Sequence, residues 1–441
     1  MAKTDNLHDF LKDLANTIRA KKGTSAPINP QNFSDEIASI ETGGGGGAAV
    51  AEKDVNFRDY DGTILHSYTK SQFLALSELP ELPSQPGLIC QGWNWTLADA
   101  QSYVEKYGVL EVGAMYITDD GKTRLYIRIS AEGRKDVPLY FSQTIANGVT
   151  IDWGDGNATQ TLSGTGNVNT SHAYADVGEY TISLNPSNGC TLGLGHKSST
   201  YCVMGSTANP GKVYCNMLQA VEIGKSLASI DNYALQYCYS LASVVIPQGV
   251  TSIGNYAFYY CSSLASVVIP QGVTSISANA FYGCYSLPSV VIPQGVTSIG
   301  TYAFYNCYSL ASVVIPQGIT SIGLNAFYNC YSLASVVIPQ GVTSIGANAF
   351  YTCYSLPGVV IPRGVTSIGN SAFYSCYGVA YYDFTQCTSV PTLGGASVFS
   401  GIASDCKIVV PDGLYDSWIA ATNWSNFASY IIKISDYNPK L

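Results

Sequence analysis

One phrase recurs along the middle of the chain with a fixed step of 23 residues, over residues 223–376. The dipeptide Ile-Pro marks the copies from Ile246 to Ile361, and a cysteine keeps the same step from Cys238 to Cys376. No insertion interrupts the step. A repeat of this length indicates a solenoid in which each coil packs only on its neighbours, so no other stretch constrains the fold as strongly.

The copy at residues 250–269 predicts which side chains face the core. The positions that stay apolar in every copy are predicted to point inward: Val250, Ile253, Ala257, Phe258, Cys261, Leu264, Val267 and Ile269. Residues 266–269 are predicted to form a short strand, and one such strand in each coil builds a parallel sheet. Residues 255–260 are predicted to form a short helix or 3₁₀ turn on the opposite side. A period of about 20 to 29 residues with Leu, Val and Ile at fixed offsets is typical of leucine-rich repeats.

The segment VTSIGNYAFYYCSSLASVVIP resembles the BspA-type leucine-rich repeats of bacterial surface proteins and of phage structural proteins. The resemblance implies repeats at 223–378 and a C-terminal cap at 379–441. Because Cys215 lies 23 residues before Cys238, residues 191–222 are predicted to form an N-terminal cap. In the C-terminal cap it implies a last strand at 407–410 and a helix at 414–422. The side chains expected to cover the open end of the core are Trp418, Trp424 and Tyr430.

Residues 1–47 are predicted to form a helical attachment or oligomerisation module that ends in a Gly linker. Its apolar stripes consist of Leu7, Phe10, Leu11, Leu14 and Ile18 in a first helix and of Phe33 and Ile37 in a second. Two short stripes cannot form a core alone, so they are predicted to pair with other copies or to dock on another protein. The segment LKDLANTIRAKKGTSAPINPQNFSDEIASI resembles N-terminal attachment modules of tail and baseplate proteins in phages of Gram-positive hosts. A helical hairpin with a dimerising stripe is the alternative.

Residues 48–130 are predicted to form a small α+β domain. Two hairpins are expected, one pairing 55–57 with 63–68 and one pairing 115–118 with 124–129, because an Asp-Gly turn signal separates each pair of segments. A helix is expected between them, at 96–107. The segments DYDGTILHSYT and GWNWTLADAQSYVEKYG are similar to a domain of the same kind of phage structural protein.

One enzyme-like motif lies in the first of these turns. Asp59, Asp61 and Thr63 match the DxDGT nucleophile loop of haloacid-dehalogenase-type phosphotransferases. That chemistry needs a Rossmann-like sheet, a later Lys and a Mg²⁺-binding acidic pair. Asp119 and Asp120 follow too soon, and no βαβ pattern intervenes. We therefore interpret the motif as a hairpin turn and expect no enzyme activity and no cofactor.

Residues 131–190 resemble the PKD-type immunoglobulin-like sandwich, through the set WGDG followed by HAYADVGEYTISL. The resemblance implies a spacer with strands at 149–152 and 181–184. Asp155 is either a Ca²⁺ ligand or the Asp of an Asp-Gly turn, and the turn is the simpler explanation. The fold class predicted for the whole chain is mixed and mainly β, with the helical module, the α+β domain and the sandwich preceding the solenoid.

Charge and hydropathy exclude several classes of function. The net charge is −9, yet residues 223–376 hold only Lys225, Asp231 and Arg363 as charged side chains, which argues against binding to nucleic acid. No run of about 20 apolar residues exists, so no membrane insertion is expected. The N-terminus lacks a signal-peptide pattern, so release by lysis as part of a virion is expected rather than Sec export.

Thirteen cysteines raise the question of disulfides. Cysteines one coil apart are close enough to bridge, but stacked side chains run parallel rather than towards each other. Small core residues are therefore the favoured interpretation of the cysteine ladder. No CxxC pair occurs and the four histidines are scattered, so no metal site is expected.

When the positions predicted to face the core are set aside, the remaining positions form exposed rows along the solenoid, with one residue per coil. The first Tyr row is Tyr259, Tyr282, Tyr305, Tyr328, Tyr351 and Tyr374. The second Tyr row is Tyr285, Tyr308, Tyr331, Tyr354 and Tyr377. The Val row, on the sheet face, is Val245, Val268, Val291, Val314, Val337 and Val360. Among the positions that vary most between copies is the set Tyr256, Asn279, Tyr302, Asn325, Asn348 and Ser371.

Tyr offers large amphipathic contact area, and Asn, Ser and Gly offer adaptable hydrogen bonds, as in antibody paratopes. Flat phenol faces also suit sugar rings. The functional hypothesis is that the Tyr rows and variable positions bind a glycan or protein on the host bacterial surface. The alternative is that the tyrosines only stack from coil to coil. For the Val row, coverage by a second copy competes with a bare sheet face.

These observations favour a structural, non-enzymatic phage tail fibre or baseplate protein that binds the host through its solenoid. Its N-terminus would contact other tail or baseplate proteins, and a homo-oligomer, a trimer by analogy, is expected. A bacterial cell-surface adhesin of the BspA type is the alternative.

Overall fold

The computed structural model describes residues 53–59, 63–85, 88–93, 95–118, 120–130, 134–196, 201–206 and 212–437. The predicted attachment module lies outside this range, with all its stripe residues: Leu7, Phe10, Leu11, Leu14, Ile18, Phe33 and Ile37. Within the described range, no helix is both long enough and apolar enough to cross a membrane.

The first unit is a four-stranded sheet with two helices. Its elements are β1 (Val55–Arg58), β2 (Ile64–Tyr68), α1 (Lys70–Leu74), β3 (Leu88–Trp93), α2 (Leu97–Tyr107) and β4 (Leu110–Thr118). The strand order is β2-β1-β4-β3, with β1 antiparallel to β2 and parallel to β4. Thr69 begins α1 through a capping box, in which its side chain and that of Gln72 each accept a main-chain hydrogen bond from the other residue. The predicted hairpin at 55–57 and 63–68 and the predicted helix at 96–107 are confirmed.

The second predicted hairpin, around Asp120 and Gly121, is wrong. β4 and the next strand, β5 (Thr123–Ile129), do flank this turn, but they belong to different sheets. β1 pairs with residues 110–113 of β4 and β3 pairs with residues 114–118, whereas β5 pairs with strands of the next unit. The chain crosses instead from one unit to the next at this point.

The second unit consists of two sheets around one core. Its further strands are β6 (Asp136–Gln143), β7 (Val149–Asp152), β8 (Gly166–Ala173), β9 (Gly178–Pro186) and β10 (Leu192–Leu194). One sheet contains β5, β9 and β7, and the other has the order β10-β6-β8. Ile127 and Ile182 from the first sheet share a buried core with Phe141 from the second. The strands predicted at 149–152 and 181–184 are confirmed, whereas an immunoglobulin-like topology stays a prediction.

A short connecting region joins the sandwich to the repeats. It contains β11 (Tyr201–Cys202), β12 (Gly205–Ser206), α3 (Lys212–Cys215) and β13 (Leu218–Glu222). β13 pairs antiparallel with β5 of the sandwich and parallel with the first repeat strand. Because one sheet therefore runs from the sandwich into the repeats, the sandwich is not a separate spacer.

The repeats form two rows of parallel strands, called ladders here. Pairing is continuous along the second ladder, whereas the first divides into three sheets, with breaks after residues 267 and 337 and a single bridge between Val268 and Val291 at the first break. The first ladder contains β15 (Ser243–Val245), β17 (Ser266–Val267), β19 (Ser289–Val291), β21 (Ser312–Val314), β23 (Ser335–Val337), β25 (Gly358–Val360), β27 (Tyr381–Asp383), β29 (Lys407–Val410) and β30 (Ile431–Lys433). The second contains β14 (Ser229–Ile230), β16 (Ser252–Ile253), β18 (Ser275–Ile276), β20 (Ser298–Ile299), β22 (Ser321–Ile322), β24 (Ser344–Ile345), β26 (Ser367–Ile368) and β28 (Thr392–Leu393). Paired residues such as Ile276 and Ile299 lie one repeat apart. The predicted solenoid with a parallel sheet is confirmed, although each strand has only two to four residues.

The core between the ladders is filled by identical side chains stacked coil upon coil. All eight positions predicted to point inward in the copy at 250–269 are buried. Phe304 lies between Phe281 and Phe327, with ring centroids 5.3 and 5.4 Å away and interplanar angles of 1° and 2°. This spacing is close to the distance of about 4.8 Å between hydrogen-bonded strands, so the ring stack and the ladders share one repeat along the axis.

Residues 255–260 form a hydrogen-bonded turn; of the predicted alternatives, the short helix is absent from this segment and the 3₁₀ turn is present only as separate i→i−3 hydrogen bonds. Alternate main-chain N–H groups donate to the next coil, as from Phe258 to Ala280 (2.8 Å) and from Tyr260 to Tyr282 (2.7 Å). Two residues that lie four apart have a positive φ, which is 58° at Tyr256 and 57° at Tyr260. The N–H groups between these donors bond within the turn, as from Tyr259 to Tyr256 (3.2 Å), so hydrogen bonds between coils alternate with local ones.

The cysteine ladder supplies small core residues that also donate weak hydrogen bonds. The thiol of Cys284 approaches the carbonyl oxygen of Phe258 at 3.3 Å, and the same contact recurs in later coils. That oxygen also accepts the N–H of Cys261, so the thiol occupies its second lone pair. All thirteen cysteines are free thiols, in agreement with the favoured interpretation of the ladder. Burial raises the pKa of Cys376 to about 12.

The C-terminal cap closes the core with aromatic rings. Trp418, on α4 (Tyr415–Ala420), and Trp424 are both completely buried. The indole of Trp424 donates to the carbonyl oxygen of Pro391 at 2.7 Å. Tyr430 is partly buried against the same core. The predicted strand at 407–410 is confirmed, and the predicted helix is present in a shorter form.

Candidate binding surface

The chain itself covers much of the Val row. Val245, Val291 and Val314 are 3%, 7% and 4% exposed, and they share a core with the α+β unit. Strand β4 approaches so closely that a Cβ added at Gly113 would lie 2.8 Å from Val268 Cγ1. Neither expected alternative, a second copy or a bare sheet, describes these coils. The α+β unit is therefore packed on the solenoid and does not act as a spacer.

A buried polar cluster fixes the junction between the sandwich sheet and the first repeat strand. Glu222 is 4% exposed and accepts a hydrogen bond from Tyr126 at 2.8 Å. Arg124 lies 3.7 Å from the other carboxylate oxygen of Glu222 and also pairs with Asp120. Burial opposes ionisation of Arg124, but its hydrogen bond to Asp120 raises its pKa above the ordinary value. These contacts hold the sandwich and the solenoid in one orientation.

The first Tyr row is a continuous stack. Centroid distances are 4.6 Å from Tyr282 to Tyr305, 4.6 Å from Tyr305 to Tyr328 and 4.5 Å from Tyr328 to Tyr351. Interplanar angles in this part of the row are 11° or less. Each ring is half-buried. Neighbouring rings cover the phenol faces inside the row, so a ligand there meets ring edges and hydroxyl groups.

The second Tyr row stacks in the same way and becomes more exposed towards its C-terminal end. Tyr308 lies 4.9 Å from the ring before it and 4.9 Å from the ring after it. Tyr354 is 40% exposed and Tyr377 is 58% exposed. The next coil is three residues longer, since Phe373 stacks on Phe399 and Tyr381 pairs with Lys407. The position equivalent to Tyr377 is therefore Ala403, and Tyr377 is the last ring of the row. The tyrosines stack from coil to coil, which was one of the two alternatives predicted for them. Binding of a ligand by the outer edges of the rings stays a hypothesis.

The variable positions have a backbone role that the sequence did not reveal. Asn279, Asn325 and Asn348 have φ values of 58°, 54° and 52°, in the left-handed region that Asn and Gly tolerate best. The side chain of Asn325 is nearly buried, at 5% exposure. Tyr256 and Tyr302, in the same set, are half-buried with φ of 58° each. Part of the variation therefore reflects a choice among residues that fit a positive φ.

Asp59 and Thr63, the two described residues of the DxDGT segment, lie at the ends of the paired strands of the predicted hairpin. Asp59 is 5% exposed, and its carboxylate accepts a hydrogen bond from Gln85 at 2.6 Å. Its main-chain N–H donates to the carbonyl oxygen of Thr63 at 2.8 Å and closes the turn between β1 and β2. Asp61 and Asp119 lie outside the described residues. Of the two Asp residues of the motif, the structure describes Asp59, whose contacts connect β1 to neighbouring segments of the same unit.

Asp155 lies in a turn and contacts His172. Its Oδ2 is 2.6 Å from His172 Nε2, and its Oδ1 accepts the N–H of Asn157. Burial raises the pKa of Asp155, but the hydrogen bonds from His172 and Asn157 outweigh this effect and lower it. The imidazole also stacks on Trp153 at 4.9 Å. This geometry agrees with the turn interpretation of Asp155.

A cluster of three cysteines was missed by the sequence analysis. Cys215 and Cys238 are one repeat apart, which the spacing revealed. Cys202 lies outside the repeat, yet its sulfur is 2.7 Å from that of Cys215. No signal in the sequence places Cys202 beside the ladder, because its position depends on how β11 packs against the first coil.

The geometry defines a leucine-rich-repeat solenoid, and comparison with known families specifies its type. Residues 213–311 and 274–404 match the model of the BspA type leucine rich repeat region. The repeat region of the chain belongs to this family. The predicted attachment module and the sandwich lie outside the matched residues.

Several solved structures are similar to the chain. A leucine-rich repeat protein from Bacteroides ovatus is 25% identical over 44% of this chain and 56% of that chain, with a TM-score of 0.37. The chain thus spans 56% of the length of that protein. A leucine rich repeat protein from T. pallidum is 32% identical over 34% of this chain and 80% of that one, with a TM-score of 0.26. A leucine rich cell surface protein from Faecalibacterium prausnitzii is 21% identical over 65% of this chain and 98% of that one, with a TM-score of 0.21. No curated protein matches the chain.

Proposed function

We propose that the chain is a non-enzymatic recognition protein whose solenoid binds a glycan or a protein on a bacterial surface. The observation that carries this proposal is the pair of Tyr rows, which place half-exposed phenols at intervals of 4.5 to 5.5 Å along one side of the repeats. The match to the BspA type of repeat supports a role in surface binding.

Stacking makes the Tyr rows a better binding surface than isolated tyrosines would be. Tyr305 and Tyr328 are each held between two parallel rings, so little rotamer freedom remains to be lost when a ligand binds. Burial raises the pKa of Tyr328 to about 12, so its hydroxyl remains a neutral donor and acceptor at physiological pH. The rows carry no charge of their own. They therefore suit a neutral polar ligand better than a polyanion.

The α+β unit leaves this side as the main available surface of the solenoid. It buries Val245, Val291 and Val314, so most of the Val row cannot bind a partner. We therefore place binding on the Tyr rows rather than on the sheet face. Only the C-terminal end of the Val row remains open, where Val360 is 43% exposed.

Two settings fit this proposal. The resemblance of residues 1–47 to phage attachment modules favours a tail fibre or baseplate protein of a virion, oligomeric through its N-terminus. The BspA-type repeats favour equally a bacterial cell-surface adhesin. Antibodies against the chain would label intact phage or tail-like particles in the first setting and intact producer cells in the second.

The experiment that tests surface binding uses the full chain and removes only hydroxyl groups. In the variant, Tyr285, Tyr308, Tyr331 and Tyr354 are replaced by Phe, which preserves the ring stack. The matched control replaces Thr297, Thr320 and Thr343, exposed residues beside the second ladder, by Ala. Binding is measured by flow cytometry on a panel of bacteria with the fluorescently labelled protein.

We expect the wild type and the Thr control to bind one group of bacteria, and the Phe variant to bind it at least tenfold more weakly. Circular dichroism should be unchanged for both variants, and the urea midpoint should be unchanged for the Phe variant. The Thr control should lose a little stability, because Thr297 and Thr343 each donate a side-chain hydrogen bond to the preceding coil. Equal binding by the Phe variant would place the ligand elsewhere. Absence of binding by the wild type to every envelope would refute the proposed function itself.

The non-enzymatic part of the proposal has a separate test. Hydrolysis of a generic aryl phosphate with Mg²⁺ is measured for the wild type and for Asp59→Asn. We expect no turnover by either protein. Turnover that is lost in Asp59→Asn would revive the phosphotransferase interpretation.

A further inference from the structure

Three thiols meet where the sandwich joins the solenoid. Cys202 lies on β11, Cys215 ends α3 and Cys238 belongs to the first coil of the cysteine ladder. Cys202 and Cys215 are each 1% exposed and Cys238 is fully buried. The sulfur atoms of Cys202 and Cys215 are 2.7 Å apart. The other ladder cysteines instead direct their thiols at carbonyl oxygens of the preceding coil, as Cys284 and Cys307 do.

The segment that carries Cys202 is held from both sides. The N–H of Val203 donates to the carbonyl oxygen of Ala234 in the first coil at 2.9 Å. The carbonyl oxygen of Val203 accepts the N–H of Tyr140, on β6 of the sandwich, at 2.9 Å. These two bonds hold the backbone that carries Cys202 between the sandwich and the first coil, where its sulfur lies beside that of Cys215.

We propose that Cys202 and Cys215 form a disulfide that staples the connecting region to the N-terminal end of the solenoid under oxidising conditions. A sulfur–sulfur bond requires a further approach to about 2.0 Å, which the two side chains can reach with little displacement. The proposal is independent of what the Tyr rows bind.

The chemistry balances with a low-molecular-weight disulfide such as oxidised glutathione as oxidant. The thiolate of one cysteine attacks a glutathione sulfur, and one glutathione thiol leaves. The sulfur of the second cysteine, after loss of its proton, displaces the other glutathione and forms the Cys202–Cys215 bond. Two protein thiols are oxidised, one glutathione disulfide is reduced to two thiols, and no metal is required.

Cys202 is the better initial nucleophile of the pair. Burial raises its pKa, but hydrogen bonds from the thiols of Cys215 and Cys238, with a main-chain donor at Met204, lower it overall. The same contacts and burial raise the pKa of Cys215. Because the pKa of Cys202 is lowered and that of Cys215 is raised, Cys202 is the thiol that loses its proton first.

The test counts reactive thiols in the full chain. Protein is unfolded, refolded in a glutathione redox buffer and purified as the folded, soluble fraction, whose structure is checked by circular dichroism. It is then unfolded in guanidinium chloride and alkylated with N-ethylmaleimide, and its intact mass is measured. We expect eleven of the thirteen cysteines to be alkylated, and all thirteen after prior reduction. Peptide mapping should find one linked pair, Cys202 with Cys215.

Two variants keep the test specific. In the double variant Cys215→Ser with Cys238→Ser, neither potential partner of Cys202 in the cluster remains, so every remaining cysteine should be alkylated. In the matched control Cys261→Ser, the disulfide should form as in the wild type and leave two cysteines unmodified. Alkylation of all thirteen cysteines in the refolded wild type would overturn the proposal. A linked pair other than Cys202 with Cys215 would overturn it equally.

Discussion

Replacement of Phe304 by Ala tests whether the stacked core is packed as tightly as its geometry indicates. Phe304 is completely buried and stacks on two parallel rings, Phe281 at 5.3 Å and Phe327 at 5.4 Å. Phe-to-Ala changes in well-packed cores cost about 3 to 5 kcal/mol, and aromatic pairs contribute about 0.5 to 1.5 kcal/mol each beyond buried area. Because two pairs are lost at once and the ladders restrict collapse of the cavity, we expect about 4 kcal/mol.

Two measurements check this value. Urea unfolding followed by circular dichroism should show a midpoint lowered by about 1 M or more. Since repeat arrays can unfold in segments, amide exchange gives the local counterpart. The N–H of Phe304 donates to the carbonyl oxygen of Ala326 at 2.9 Å, and its protection should fall by about a thousandfold if 4 kcal/mol is lost locally.

The matched control is Tyr331→Phe, which retains a ring stacked at 4.9 and 5.1 Å but removes a surface hydroxyl. Its stability should change by less than about 0.5 kcal/mol. A loss below about 1 kcal/mol for Phe304→Ala would show that neighbouring coils close the cavity. The argument that the rings and ladders share one rigid repeat would then be refuted.

Three further predictions follow from particular contacts. Gly113→Val should loosen the α+β unit and increase its proteolysis, because the new side chain would overlap Val268, and a second change, Val268→Ala, should partly restore protection. Asn348→Ala should lower the free energy of unfolding by about 1 kcal/mol, measured in urea, because Ala tolerates the φ of 52° poorly, whereas Asn348→Gly should be close to neutral. Burial raises the pKa of Tyr259 and of Tyr328 to about 12, above the value of about 10 in the unfolded chain. Their contribution to stability should therefore be complete below about pH 10 and be lost as the pH rises towards 12, which thermal unfolding against pH would show, and a flat profile would contradict it.

The repeat itself made the solenoid predictable. A step that never changes identifies equivalent positions, so Phe258 and Cys261 could be assigned to the core without knowledge of the turns. The turn at residues 255–260 could not be predicted in the same way. Its donors bond to the next coil, as Phe258 does to Ala280, and local sequence contains no information about a partner one coil away. The sequence therefore predicted a local element, a short helix or 3₁₀ turn, in place of a turn whose alternate donors bond to the next coil.

The way in which the α+β unit and the sandwich pack on the solenoid could be predicted even less well from the sequence. The Asp-Gly turn signal at Asp120 is local, whereas the strand that β5 joins depends on which sheet edges are free. Likewise, Val314 and Val360 are equivalent in the repeat, yet one is 4% and the other 43% exposed. Only the position of the α+β unit on the sheet distinguishes them, and identical repeats cannot encode that difference.

The contacts that hold the molecule together and the Tyr rows proposed to bind a ligand lie on different parts of the solenoid surface. The sandwich joins its N-terminal end through the pairing of β13 with β5, and Trp418 and Trp424 close the other end. Since the α+β unit occupies part of the sheet face, the contacts that hold the molecule together lie at the ends and on one side. The Tyr rows take part in none of those contacts. A coil inserted in the middle of the array would therefore lengthen both Tyr rows by one ring and leave the caps and the sandwich junction unchanged. If the rows bind an extended ligand, affinity should rise with the number of coils, while a ligand at one end of the array would be insensitive to it.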